Sequence, residues 1–215
     1  MSQTVAIIKR LEDLQQGERS RLRRLAGQPL DKTLQGFDLF TGLWWPLRAT
    51  NERTPRRELS WLIAKLFGAS SVPHVRPESG IGPSFPYVLG CCEPTDPPEY
   101  KARDRFRRRF DAVICSTLFD IEPRLDWALG EIAKAVAGRV PHVTKVTGID
   151  WALLLDDLSL WDSEFNPDDT WQKSRLIGHK QLVYCHEMHR TPQDLWACEY
   201  LYATDHQPQG ASHAD

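Results

Sequence analysis

Seven prolines fall within the stretch from Ala69 to Glu99: Pro73, Pro77, Pro83, Pro86, Pro94, Pro97 and Pro98. Each removes a backbone donor and fixes φ, so no long helix persists through it, and a connection of this length inside one compact domain is unusual. It divides a chain whose flanks both read as helical.

On the N-terminal side Ile7, Ile8, Leu11 and Leu14 recur at helical spacing before Gly17, and Leu22 and Leu25 follow among arginines until Gly27 and Pro29. Asp31 is placed to cap a helix carrying Leu34, Phe37, Leu39 and Phe40 toward Trp44 and Trp45. Thr54 with Pro55 reads as a cap and first-turn proline, opening a helix whose Leu59, Leu62, Ile63, Leu66 and Phe67 form an apolar stripe up to Gly68. Beyond the prolines, helical patterns cover 100–118, 123–137 and 171–190. Two more open at Asp150 and at Thr191-Pro192, the second carrying Leu195, Trp196 and Leu201. No alternating strand pattern and no internal repeat interrupts them. The expected fold is all-α: a helical bundle over 1–68, a Pro/Gly-rich linker or functional loop over 69–99, a second bundle over 100–204 and a flexible tail over 205–215.

Composition narrows the class. A 215-residue chain that is 41% hydrophobic and 26% charged is globular, and charged residues or prolines interrupt every apolar run well short of the ~18 residues a membrane span needs. The first residues lack a basic stub followed by an apolar core and a cleavage site, and the five cysteines are an odd number, so the expected compartment is the cytoplasm with reduced thiols.

The net charge of −2 conceals a strong asymmetry. The first 75 residues have twelve cations against seven anions, residues 101–110 six against one, and the stretch after 150 four against eleven. On the helix from Tyr100, Phe106, Phe110, Val113 and Ile114 form a buried stripe, with Lys101, Arg105, Arg108 and Arg109 on the opposite side. Like charges at these spacings cost about 0.2–0.5 kcal/mol per pair, a cost that a phosphate backbone reverses. Arg103 and Arg107 lie nearer the apolar boundary and are equally suited to pairing with the acidic second half. Arg21, Arg23 and Arg24, and Arg53, Arg56 and Arg57 at a helix start, supply further basic sites. Trp44, Trp45 and Trp61 are candidates to stack bases, though tryptophans in helices more often pack cores.

Two other classes compete. Cys185, His186 and His189 cluster on one predicted helix, with His179 seven residues before His186 and Cys198 on the next helix, a donor set for a metal-dependent helical enzyme. The spacing is weak, because His186-Glu187-Met188-His189 is one residue short of the two-histidine zinc motif. No phosphate loop, nucleophile elbow or dinucleotide turn is present, so no cofactor or bound metal and no catalysis are expected. A protein-interaction scaffold whose arginines pair with an acidic partner is the third class.

Leu22-Arg23-Arg24-Leu25-Ala26-Gly27, the helix from Arg56-Arg57-Glu58-Leu59 to Leu66-Phe67, the run Arg107-Arg108-Arg109-Phe110 with Ile114, and Ile149-Asp150-Trp151-Ala152-Leu153-Leu154 with Asp157-Leu158 and Trp161 come in that order. Together, over residues 18–175, they resemble CasB, the small subunit of the type I-E CRISPR Cascade surveillance complex. The resemblance implies two small helical bundles without catalytic activity, present in two copies. It implies as partners guide RNA, the backbone and large subunits, a second copy of the chain, and the target and displaced DNA strands, with no membrane. The residues it assigns to DNA are Arg23, Arg24, Arg56, Arg57, Arg108 and Arg109, to which the charge pattern adds Lys101 and Arg105. Where family members often place further arginines after the last pair, this chain has Cys115, Ser116, Thr117 and Leu118, which moves the expected surface toward Arg124. The segment after Gln172 is longer than the family pattern and is expected to contact a neighbouring subunit.

Overall fold

The computed structural model describes residues 2–29, 34–50, 54–78, 80–95, 100–141, 143, 146–161 and 191–205. Among them the protein is helical: α1 (Gln3–Glu12), α2 (Gln16–Arg24), α3 (Leu34–Thr50), α4 (Arg57–Ala69), α5 (Phe85–Cys91), α6 (Tyr100–Ile114), α7 (Glu122–Val136), α8 (Trp151–Ser159) and α9 (Pro192–Asp205). The predicted helix over 171–190, the tail, Asp31 and Arg53 lie outside the described residues.

Two compact units form. The first comprises Met1–Ser71 and Trp151–Ser159, the second Val72–Asp150 and Leu160–Asp215. This partition differs from the sequence expectation in two ways. Trp151, Ala152, Leu153, Leu154, Leu155 and Leu158 bury most of α8, leaving Asp156 partly exposed and Ser159 exposed, and the helix returns to the first unit. There it packs on α1 and α4, with the Phe67 and Trp151 rings edge to face at 5.3 Å. The proline-rich stretch, for its part, is mostly folded structure. Ser84 is extended, Pro86 fits the first turn, and the short α5 that follows buries Phe85, Val88 and Leu89 in the second unit.

In the first unit, Ser2 Oγ caps α1 by accepting the Val5 amide at 3.3 Å. Helices α2 and α4 run antiparallel: Gly68 backs onto Leu22, where an added Cβ would stand 2.7 Å from the Leu22 Cβ, and the Gln28 carbonyl accepts from Trp61 Nε1 and Lys65 Nζ, both at 3.0 Å. Helix α4 starts two residues after Pro55, not at it. The Pro55 carbonyl accepts the Trp44 indole at 3.0 Å, Thr54 is buried, and Arg56 occupies the position before the first turn.

In the second unit the beginning of the proline-rich stretch is tied to the segment before α8, Val75 N–H to Ile149 carbonyl at 2.8 Å and Ile149 N–H to Pro73 carbonyl at 3.1 Å. The buried Asp150 carboxylate accepts from the Gly82 amide at 3.0 Å and from Arg76 at 3.1 Å. Helix α5 lies against α9 so closely that a Cβ on Gly90 would sit 2.7 Å from the Tyr200 carbonyl oxygen and 2.8 Å from the Ala203 Cβ. Thr191 opens α9 as predicted: its hydroxyl accepts the Asp194 amide, and the Asp194 carboxylate accepts the Thr191 amide, each at 3.2 Å. Trp196 joins Phe85 at 4.9 Å and Trp161 at 4.7 Å, the aromatic centre of this unit.

Candidate nucleic-acid interface

Helix α6 carries six cations, and one buried carboxylate sorts them. Glu93, only 1% exposed, lies just beyond α5. Its Oε1 accepts from Arg103 Nε at 2.5 Å, and Arg107 closes on it with Nε at 3.0 Å from each oxygen and a terminal nitrogen at 2.9 Å. The Tyr200 hydroxyl of α9 donates to Oε2. Burial, and then this hydrogen bond to Glu93, push the Tyr200 phenol far up, while the same carboxylate raises Arg107 further. The stacked Phe110 and Tyr200 rings, 4.0 Å apart, close the side of the network. Arg103 and Arg107 thus pair internally, with an acid from the proline-rich stretch.

The other four point outward. Lys101, Arg105, Arg108 and Arg109 are exposed, and among the described residues none of them makes an ion pair. They stand at i, i+4, i+7 and i+8, one stripe along the helix. Arg109 rests over the Trp127 ring at 5.3 Å, which orients the guanidinium without neutralising it. The apolar face anchors the stripe through Phe106, Phe110 and Val113, all buried as expected, with Phe106 edge to face on Trp127 at 5.2 Å.

The first unit holds the remaining sequence-assigned cations. Arg23 and Arg24 are exposed in the last turn of α2, where the helix dipole favours positive charge. Arg24 Nε reaches the Ser20 carbonyl at 3.4 Å. Arg56 is exposed beside the first turn of α4, whereas Arg57 is half-exposed and pairs with Glu58 at 3.2 Å. The Arg23 backbone lies against Gly68 near the C-terminal end of α4, whereas Arg56 and Arg57 stand at its start, so the two arginine pairs lie toward opposite ends of that helix.

The proposed shift toward Arg124 does not materialise as an open cation. Arg124 donates to Asp120 at 2.6 Å and to Ser116 Oγ at 2.5 Å, closing the α6–α7 turn, and hydrogen bonds from Thr117 followed by Arg124 lower the Asp120 carboxyl. Of the three candidate tryptophans, Trp61 is buried with its indole bonded to Gln28, Trp44 is half-buried with its indole on Pro55, and Trp45 is 59% exposed. For the competing metal site, Cys185, His186 and His189 lie outside the described residues. Cys198 is half-buried on α9, and among the described residues no group of three His, Cys, Asp or Glu side chains is arranged to hold a metal. No described helix is long and apolar enough to cross a membrane.

Sequence reasoning did not single out Glu93. It carries no local motif, and its partners are 10, 14 and 107 residues away in the chain.

Solved structures of CRISPR-associated proteins share this helical fold. A Cse2-family CRISPR-associated protein from Thermus thermophilus is 22% identical with a TM-score of 0.56, covering 93% of this chain and 96% of that one. CasB from M. ruber is 16% identical with a TM-score of 0.57 over 95% of each chain, and CasB from Thermus thermophilus is 22% identical with a TM-score of 0.55 over 93% and 96%. No curated protein matches the chain. The family model of the CRISPR-associated protein Cse2 matches residues 18–177. The chain therefore belongs to the Cse2 (CasB) family, the small subunits of type I-E Cascade, as its sequence motifs imply.

Proposed function

We propose that the protein is a non-catalytic Cascade subunit, acting in the cytoplasm in antiviral defence, that grips the target and displaced DNA strands through phosphates and so stabilises the R-loop. One observation supports this reading above the others: Glu93 takes Arg103 and Arg107 inward, while Lys101, Arg105, Arg108 and Arg109 are exposed without an ion pair among the described residues. A chain needing these cations only for its own fold would pair them; a phosphate backbone supplies the missing anions in a row and releases its counterions on contact. Arg23 with Arg24, and Arg56 with Arg57, provide two further contact points on the other unit, one toward each end of α4. Guide RNA, the backbone and large subunits and a second copy of the chain are the partners this role requires.

The test uses the assembled complex. Reconstituting it with Arg105→Ala/Arg108→Ala/Arg109→Ala and following R-loop lifetime on a matched target should give full incorporation and a lifetime shortened at least tenfold. An unchanged lifetime with full incorporation refutes the DNA role. Failed incorporation assigns the stripe to a neighbouring subunit, the scaffold reading.

A further inference from the structure

We infer that Trp45 is a stacking platform for an unpaired base of a bound single strand. This rests on the nucleic-acid reading above but on a different unit and a different interaction. An aromatic column runs outward through the first unit. The buried Trp61 meets Phe40 edge to face at 5.4 Å, Phe40 stacks near-parallel on Trp44 at 6.4 Å and 16°, and Trp44 supports Trp45 at 6.1 Å. Trp61 and Trp44 are each fixed by an indole hydrogen bond, to Gln28 and Pro55 respectively. Of the two ends of the column, Trp61 is buried at 3% exposure, whereas Trp45 is 59% exposed with Trp44 as its aromatic neighbour among the described residues. A ring held in this way loses little conformational freedom when another π-face settles on it, which is what sequence-tolerant base stacking requires.

The charge around Trp45 selects the occupant. Arg10 donates to the Leu43 carbonyl at 2.9 Å, two residues before Trp45, and Arg48 stands one turn further along the same face of α3. The Trp44 indole bond to Pro55 brings the exposed Arg56 beside the same end of the helix. A phosphate-linked base meets both an aromatic face and cations there. The more exposed Phe119, at 99%, offers a ring but no supporting aromatic among the described residues, and Arg124 in the same turn is held by Asp120.

The experiment compares oligo-dT with an abasic strand of equal length and charge, binding each to the full chain. Wild type should prefer the base-bearing strand by about five- to a hundredfold. Trp45→Ala should abolish that preference while keeping the salt dependence, and Trp45→Phe should retain most of it. A Trp45→Ala chain that keeps the wild-type preference, or that loses affinity equally for both strands, overturns the inference and leaves the phosphate-gripping role standing. Intact strand preference combined with lost assembly into the complex would give the ring to a protein partner, and also overturns it. Absence of salt-dependent binding to either strand would end both proposals.

Discussion

Replacing Glu93 by glutamine tests the network that sorts the α6 cations. Glutamine keeps the shape and one acceptor oxygen but removes the charge, and it turns an NH2 donor toward groups that are themselves donors. Three charge-assisted interactions weaken at once: those with Arg103, Arg107 and the Tyr200 hydroxyl. Hydrogen bonds to an ionised partner contribute about 1.5–3 kcal/mol against about 0.5–1.5 for neutral ones, a loss of about 1 kcal/mol each. The two guanidinium side chains are 41% and 40% exposed, so solvent screens part of the attraction, while the carboxylate at 2% is not screened. The net expectation is about 2–4 kcal/mol, confined to the second unit. Hydrogen exchange reads this by helix: amides of α5, α6 and α9 should exchange roughly 30- to 1,000-fold faster, while those of α1 to α4 stay at wild-type rates. Arg105→Ala, at an exposed site, should shift exchange by less than about threefold. If Glu93→Gln changes second-unit exchange no more than Arg105→Ala does, Glu93 does not hold α6 and the division into inner and outer arginines fails.

Gly90→Ala should destabilise the second unit by about 1–3 kcal/mol in chemical denaturation, because the new methyl meets the Tyr200 carbonyl and the Ala203 Cβ; a neutral result would mean α5 and α9 are not so close. Burial, ahead of a nearby Cys91, pushes the Cys92 thiol up to about 12, so at pH 8 an alkylating agent should label the exposed Cys115 and spare Cys92, as peptide mass spectrometry would read. A raised thiol keeps its stabilising contribution below the ordinary value of 9.0 and loses it as pH climbs toward 12. Tyr200, also raised, acts in the same direction above 10.0, so second-unit stability should fall from about pH 9 upward; a flat alkaline profile contradicts this burial.

What the sequence carried legibly was local. The Leu59–Leu66 stripe, the Phe106–Phe110 stripe and the Thr191 box with Asp194 each depend on neighbours within a turn or two, and each appears where spacing put it. Thr54-Pro55 had the same local form but a distant competitor, the Trp44 indole, claims the Pro55 carbonyl. The position of α8 in the first unit was half legible: a Trp-Ala-Leu-Leu-Leu run followed by Leu158 demands burial, but not against which helices. Phe85, Val88 and Leu89 offered an i, i+3, i+4 signal inside the proline-rich stretch that the surrounding prolines masked. Charge and spacing on α6 separated the exposed Lys101, Arg105, Arg108 and Arg109 from the inward Arg103 and Arg107, while the acid that holds the inner pair is a tertiary fact.

The most direct measurement of the central claim is a titration of labelled single-stranded DNA with the isolated chain between about 50 and 200 mM salt. Arg105→Ala/Arg108→Ala/Arg109→Ala should flatten the dependence of log K on log salt by about 2, at about 0.7 for each phosphate no longer neutralised. Arg124→Ala, which removes a guanidinium already engaged by Asp120 and Ser116, should leave the slope at its wild-type value. A triple variant with the wild-type slope, or an Arg124→Ala chain whose slope flattens as much, would contradict the account.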